Sequence, residues 1–488
     1  MGNEEPAEVT EVTPEEGAAQ GTVSHDIAVP GPLREFMARG WADPPPPDPS
    51  AEPAAPYCSK RRAALSARFP GETLVVPTGG LKVRANDTDY PFRPGSDFYW
   101  LTGEMQPDAV LVMTPEGDSH SATLFVAPRS DRSSLAFYTD RRYGELWVGP
   151  RRGLAETGAA LQIDCRPLDE LAGVLDSLGE QVRVLRGYDG RVDSRLPAAS
   201  QERDAELATA LSELRLVKDD LEVAMLEEAV AATVRGFEDV VRELPTAIET
   251  SERWIEGTFN RRARVEGNDV GYGSICAAGP HATTLHWERN DGPVRPGELL
   301  LVDMGVESRS LYTADVTRTL PINGRWSPVQ RRVYEAVLEA QRAGLAATRP
   351  GNDFLEPHRA AMAVLAGRLE EWGILPIPAE QSLDKECGLH RRYTLHGTSH
   401  MLGIDVHDCA SAREEAYRDG TLAAGMVLTV EPGLYFQTDD LTVPAEYRGI
   451  GVRIEDDVLV TEDGCRVLSE GLPTDPDEIE SWMADLQG

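Results

Sequence analysis

The chain has no apolar run approaching the ~18–20 residues that a membrane-spanning helix needs. Its first residues, Met1-Gly2-Asn3-Glu4-Glu5, lack the basic and apolar regions of a secretory signal, so none is expected. Positive charge is scarce: 48 Lys and Arg stand against 82 Asp and Glu, a net charge of −34. Such a balance argues against nucleic acid and anionic membranes, which both need basic patches. Solubility is its ordinary meaning. The six cysteines (Cys58, Cys165, Cys276, Cys387, Cys409 and Cys465) are scattered without a CxxC pair. That usage fits reduced thiols and a cytoplasmic location, and it excludes an all-sulfur zinc site. No GxGxxG or phosphate loop occurs, so nucleotide binding has no support.

What is there divides by composition. With 488 residues, 41% of them hydrophobic, two domains and an appendage are expected. Residues 1–56 are rich in Glu, Ala and Pro, including Pro44-Pro45-Pro46-Pro47, and read as a disordered or loosely attached extension. Residues 57–205 alternate short apolar runs with helical patches, an α/β pattern. A helix is expected over 61–69, strands over 73–77, 98–101, 109–113 and 122–126, and helix over 168–178. Residues 206–488 read as α+β, with long helices beside an antiparallel, curved sheet. Leu226, Val230, Val234, Phe237, Val241 and Leu244 form one stripe in a helix over 203–244. Ser327, Pro328 and Gln330 form a capping box that starts a second helix, and a third is expected over 355–372. Strands are expected over 298–305, 312–319, 426–433 and 449–457. In the last, period two puts Arg453 and Glu455 on one face and Val452 and Ile454 on the other.

Asp303, Asp315, Glu431 and Glu455 each lie in or at the end of an apolar strand-like run. Carboxylates are rare there unless paired or bound to metal. One would mean little; four, with three histidines packed into 396–407, suggest a metal centre. Gathered carboxylates repel, and cations hold them ionised. Oxygen donors with one histidine suit Mn²⁺, Co²⁺ or Fe²⁺. Five ligands exceed one catalytic ion's need and fit a two-metal site. His396 and His400 have i, i+4 spacing, but Gly397-Thr398-Ser399 resists helix, which weakens a helical zinc motif. His286 could be a packed or surface residue as easily as a functional one, and His281 reads as loop decoration.

Together these stretches resemble the aminopeptidase P (Xaa-Pro aminopeptidase) family of pita-bread-fold metallopeptidases. The matching pieces are Thr284-Leu285-His286-Trp287, Leu300-Leu301-Val302-Asp303-Met304-Gly305, Ala314-Asp315-Val316-Thr317-Arg318-Thr319, the run from His396 to Asp408, Val430-Glu431-Pro432-Gly433-Leu434-Tyr435 and Gly451-Val452-Arg453-Ile454-Glu455-Asp456-Asp457. Ala85-Asn86-Asp87-Thr88-Asp89, Ser96-Asp97-Phe98-Tyr99-Trp100 and Glu145-Leu146-Trp147 extend the likeness into a smaller creatinase-like first domain. Met304 and Thr398 depart from the alanine and leucine frequent in the family, and neither is a ligand position.

The resemblance implies a dinuclear site, usually Mn²⁺, held by Asp303, Asp315, His400, Glu431 and Glu455. Asp315 and Glu455 would bridge the ions. It implies a bridging hydroxide as nucleophile, Glu431 as general base then acid, and His286 and His407 beside the scissile carbonyl. His396, Arg453 and Tyr435 would surround the proline pocket. Asp87 would be the first-domain acid paired with Arg453, and Trp147 the aromatic lent by a neighbouring subunit of a homodimer or homotetramer. The implied activity is release of the N-terminal residue from peptides with proline second. The alternatives are a prolidase acting on Xaa-Pro dipeptides and a non-catalytic relative serving as a binding scaffold. Methionine aminopeptidase and creatinase-like readings fit less well, given the large first domain and the intact ligand set.

Overall fold

The computed structural model of the chain describes residues 29–42, 50–196 and 201–488. The expectations for 1–28 and for the proline run at 44–47 lie outside these residues. Helix α1 (Gly31–Met37) buries none of its residues. Beyond its end, Trp41 touches the body of the protein: its ring meets Phe137 at 6.1 Å, with the Arg132 guanidinium 4.3 Å above it.

Five strands form the first sheet: β1 (Thr73–Pro77), β2 (Val110–Glu116), β3 (Ser119–Val126), β4 (Asp164–Pro167) and β5 (Val182–Val184), in the order β4-β3-β2-β1-β5. β1–β2 and β2–β3 run antiparallel, while β1–β5 and β3–β4 are parallel. Successive side chains of β1 face opposite sides. Leu74 and Val76 pack with Leu65 of α2 (Ala55–Ser66) and Phe98 of α3 (Ser96–Thr102). Val75 packs with Leu171 and Leu175 of α4 (Leu171–Ser177). Helices on both faces explain why the strands read as continuous apolar runs.

Three helices, α5 (Gln201–Arg215), α6 (Asp220–Glu249) and α7 (Glu252–Glu266), lead into the second domain. Its strands pair antiparallel throughout. β6 (Ile275–Ala278), β7 (Leu299–Met304) and β8 (Val316–Pro321) lie in the order β8-β7-β6. β9 (Val427–Val430) pairs with β12 (Asp456–Val460), and β10 (Gly433–Tyr435) with β11 (Gly451–Arg453). Helices α8 (Pro328–Ala347) and α9 (Glu356–Glu371) cover the sheets, and one large apolar cluster unites them with α6 and α7. The Ser327–Gln330 capping box forms as expected, and Gly373 adopts a positive φ of 67° after α9.

Several expectations are overturned. Residues 98–101 form no strand; they lie in α3, where Gly103 at φ 73° closes the helix and Phe98, Trp100 and Leu101 are all buried. The apolar run fits either geometry, and its length cannot discriminate. The helix expected over 203–244 is two, because Asp219 and Glu222 form a capping box that starts α6 afresh. The extension does not reach residue 56: α2 opens at Ala55, which is buried, and the Glu52 N–H donates to the Ala160 carbonyl. Asp315 precedes β8 instead of lying inside a strand. The expected strand at 449–457 breaks at 454–455, where Glu455 N–H bonds the Thr317 carbonyl at 3.1 Å. Its alternation survives the break: Val452 and Ile454 enter the apolar cluster while Arg453 and Glu455 line a cavity.

Candidate active site

That cavity encloses about 530 Å³, and five places in the second domain supply its acids and the histidines of the 396–407 run. The C-terminal end of β7 supplies Asp303, the residue before β8 supplies Asp315, and the residue after β9 supplies Glu431. Glu455 comes from the break between β11 and β12, and His396, His400 and His407 from the loop over 395–408, which contains no helix. Strand ends suit this task, because the ladder fixes their backbone while the chain leaving it is free to present a side chain.

Asp315 Oδ2 lies 3.3 Å from His400 Nε2, and Glu431 Oε1 lies 3.6 Å from the same nitrogen. Ligand atoms of Asp315, His400 and Glu455 all fall within 4.8 Å of one another. His400 Nδ1 sits 3.1 Å from the Met401 carbonyl. A carbonyl only accepts, so Nδ1 carries the proton, and Nε2 is left to face the acids. This is the arrangement of a metal-ligating imidazole. Asp303 Oδ1 accepts from the Tyr272 hydroxyl at 2.7 Å and Oδ2 pairs with Arg453 at 2.5 Å. A carboxylate has about four lone-pair sites, so both oxygens can still meet a cation.

Electrostatics point the same way. Burial, with repulsion from Asp315, Glu431 and Asp303, pushes Glu455 well above the usual carboxylate range. Burial also raises Glu431 to about 7, against the pull of His400 and Arg453. Asp303 rises through burial, though Arg453 opposes it. Asp315 is held low: burial works against this, but the hydrogen bond and charge of His400 outweigh it. His400 itself moves up to about 9, because Asp315 and Glu431 overcome its burial. A buried acid surplus that draws a proton onto the facing imidazole nitrogen is a donor set in which a divalent cation can take the proton's place.

His396 lies in the same cavity but takes a different part. Its Nδ1 donates to the Gly397 carbonyl at 2.7 Å, so Nε2 accepts from the Tyr435 hydroxyl at 2.8 Å. Tyr435 in turn accepts from Arg453 Nη1 at 2.9 Å. Burial and the neighbouring Arg453 lower His396 to about 3, so it stays neutral. His407 stands edge-on to His400 with ring centroids 4.4 Å apart, and His286 lines the cavity from the segment before β7.

Two expected site residues are elsewhere. Asp87 pairs with Arg141 at 3.6 Å, not with Arg453. Trp147 is nearly half exposed; its indole N–H donates to the Tyr138 carbonyl, and Arg141 lies over the ring. Neither lines the cavity of its own chain. His281 is more than loop decoration: it bonds the buried Glu252 at 2.8 Å and stacks on Trp287.

Sequence reasoning missed four residues here. Tyr272 holds Asp303. Thr317 Oγ1 donates to Glu455 Oε2 at 2.7 Å and receives Arg453 Nε at 3.1 Å. Asp457 accepts the Asp315 N–H at 3.1 Å. His358 enters the cavity from α9. Thr317 and Asp457 lay inside quoted motifs, two residues from a ligand and therefore on its face of an extended chain. Tyr272 and His358 carried no such signal.

Two family models match the chain: metallopeptidase family M24 over residues 224–462, and the aminopeptidase P N-terminal domain over 58–185. Xaa-Pro aminopeptidase 1 of Streptomyces coelicolor is 60% identical over 457 residues, covering 93% of this chain and 92% of the relative. Xaa-Pro aminopeptidase of Escherichia coli is 32% identical over 435 residues, covering 87% and 96%. The structure of aminopeptidase P from E. coli in its low-pH form superposes with a TM-score of 0.80 at 30% identity, covering 90% of this chain and all of that one. The α/β first domain and the α+β second domain are thus the two-domain arrangement of that fold, a pita-bread catalytic domain behind an aminopeptidase P N-terminal domain. The chain belongs to the aminopeptidase P family of metallopeptidases.

Proposed function

We propose that the chain is a metal-dependent exopeptidase that releases the N-terminal residue from peptides with proline in second position. The observation that carries the reading is the buried acid surplus around His400, with Asp315, His400 and Glu455 already within 4.8 Å of one another. Asp303, Asp315, His400, Glu431 and Glu455 would hold two divalent ions, Mn²⁺ by preference. When bound, the ions supply the positive charge that polarises a carbonyl and makes water more acidic.

The side chains do the rest. Glu431 accepts a proton from the attacking water and delivers it to the proline nitrogen. His286 and His407 donate to the oxygen of the scissile carbonyl as it gains charge. His396, Tyr435 and Arg453 form a hydrogen-bonded chain that fixes the wall against which the proline ring packs. The free amine of the substrate, a cation, belongs among the cavity carboxylates, which makes the enzyme an exopeptidase.

The domains would run over 57–205 and 206–488, with the start of α2 adding Ala55 and Pro56 to the first. Trp147, remote from its own cavity, would serve that of a neighbouring subunit in a homodimer or homotetramer. The location would be cytoplasmic. Hydrolysis of an Xaa-Pro-Yaa panel with added Mn²⁺, Co²⁺ or Zn²⁺ tests the reading. Cleavage restricted to the Xaa-Pro bond supports it, and inactivity with every metal refutes it. Faster cleavage of Gly-Pro than of longer peptides would make the enzyme a prolidase instead.

A further inference from the structure

Thr398 stands where the family often has leucine, and the hydroxyl it brings makes one contact: Oγ1 lies 2.9 Å from Nδ1 of His358. Thr398 is buried, and its carbonyl accepts the Glu431 N–H at 2.8 Å. His358 sits in the first turn of α9 and lines the cavity with Phe354, Leu355, Ser399 and Arg418. This wall is firmly held. The Phe354 ring meets Tyr417 edge-on at 5.0 Å, and the Phe354 N–H donates to the Gly420 carbonyl. The Tyr417 hydroxyl accepts the Met401 N–H at 2.7 Å.

Two polar groups on the wall have capacity to spare. Ser399 Oγ is buried and makes no hydrogen bond among the described residues. Arg418, one of the cavity's two arginines, has no ion-pair partner among the described residues, whereas Arg453 is paired with Asp303. Burial lowers the pKa of His358, and the charges that add to this effect, His390, Arg391, Arg359 and Arg418, are all basic. The ring is therefore neutral, and in the tautomer whose Nδ1 accepts from the Thr398 hydroxyl, Nε2–H is a free donor. The five cavity carboxylates all come from other segments. In a chain of net charge −34, this wall gathers unspent hydrogen-bond donors around one arginine. The substrate's ammonium belongs with the carboxylates, so the donor-rich wall faces the part of the peptide beyond proline.

We propose that His358, seated by Thr398, forms with Ser399 and Arg418 a subsite for a carboxylate carried by the residue after proline. Charge-assisted hydrogen bonds to a group of this kind are about twice as strong as neutral ones, which makes the subsite selective for charge. The carboxylate can be the free C-terminus of a tripeptide or an Asp or Glu side chain. The inference rests on the Xaa-Pro aminopeptidase reading and names its preferred substrates.

The full chain, supplied with its best-activating cation, is assayed on Ala-Pro-Leu, Ala-Pro-Leu amide and Ala-Pro-Glu amide. Binding of the product Pro-Leu and of Pro-Leu amide is measured by calorimetry. One charged hydrogen bond predicts KM about tenfold lower for the carboxylate-bearing peptides than for the neutral amide, and the same ratio in product binding. In His358→Leu and, separately, Arg418→Met, the ratio falls toward one; in Thr398→Val it falls part of the way. Selectivity for Ala-Pro-Leu alone identifies the C-terminus as the source, and selectivity for Ala-Pro-Glu amide alone identifies the side chain. Equal KM and equal binding for acid and amide, or a ratio unchanged in both His358→Leu and Arg418→Met, overturns the subsite. Failure to cleave any peptide defeats the activity instead, and the calorimetric ratio still decides the subsite.

Discussion

The molecule buries two dense clusters of charge, and they are built on opposite principles. In the cavity, Asp303, Asp315, Glu431 and Glu455 outnumber Arg453 and His400, and Asp457 stands just behind Asp315. Between the domains, Arg215 and Lys218 meet Asp408, which is pinned by Lys218 at 2.8 Å and by Arg215. Arg215 also reaches Asp97 of α3 at 2.7 Å and Asp405 at 2.9 Å, and Arg93 lies 3.4 Å from Asp405, so each of the three acids has a basic side chain against it. The pKa shifts record the difference. Burial and like charge push Glu455 far up, whereas Arg215 and Lys218 overcome burial and hold Asp408 far below the carboxylate range. A cluster balanced by its own side chains is finished as a structural latch. A cluster left with surplus acid is finished only by cations, and that is the physical mark of a metal site.

The largest effect should come from the unbalanced cluster. Glu431→Gln keeps the shape but removes both a ligand and the proton acceptor, so turnover of Ala-Pro-Leu should fall about 10³-fold or more. Its circular dichroism and melting profile should stay native. Substantial retained activity would remove Glu431 from the mechanism and weaken the contrast.

The balanced cluster should answer in stability. Lys218→Met leaves Asp408 buried with Arg215 as its remaining cation and should cost about 3–5 kcal/mol, read by urea unfolding. The cost should be the same with and without chelator, since no cation site is touched. It also has a pH signature. The folded-state pKa of Asp408 is depressed below its ordinary 3.8, so the pair's contribution is present above that value and lost as pH falls below it. The gap between wild type and variant should therefore be flat from pH 5 to 8 and close in stronger acid.

Adding a cation at 100 times its Kd should stabilise the native protein by about 2.7 kcal/mol, and chelation should remove that increment. Differential scanning calorimetry measures both. A melting temperature indifferent to every divalent ion tested would mean that the acid surplus is satisfied by protons alone.

How much of this contrast was legible beforehand follows from what a sequence pattern encodes. The four acids stood out because charge interrupts apolar strand-like runs, and His400 because three histidines crowd into 396–407; both signals are local, while the choice of His400 as the ligand came from the family resemblance. The same logic put Arg453 and Glu455 on one face, even though the strand they were assigned to breaks at Glu455. The latch left no such trace. Asp408 was read only as the end of the histidine run, and Lys218 sat inside what looked like one continuous helix. Their pairing spans 190 residues and depends on the unread break before α6. Likewise Phe98 and Trp100 looked like strand residues because a run of four apolar residues, 98–101, fits either geometry; the Trp100 indole's hydrogen bond to Glu222 and the packing on the first sheet decide it. Tyr272 and His358 reach the cavity through tertiary placement alone.

The smallest prediction separates the clusters most finely. Tyr272→Phe removes the hydroxyl that donates to Asp303 Oδ1 at 2.7 Å and changes little else, because the ring stays. In chelated protein this leaves a buried carboxylate oxygen without its donor, a loss of about 1 kcal/mol. With a divalent cation present, the ion's charge compensates the same oxygen, and the loss should shrink to a few tenths of a kcal/mol. The substitution and the metal thus form a double cycle whose coupling is measured by unfolding four samples. The same cycle run with Lys218→Met should show no coupling, because that latch is complete without metal. Equal costs for Tyr272→Phe with and without cation would place Asp303 outside the metal's reach and make its pairing with Arg453 its whole role.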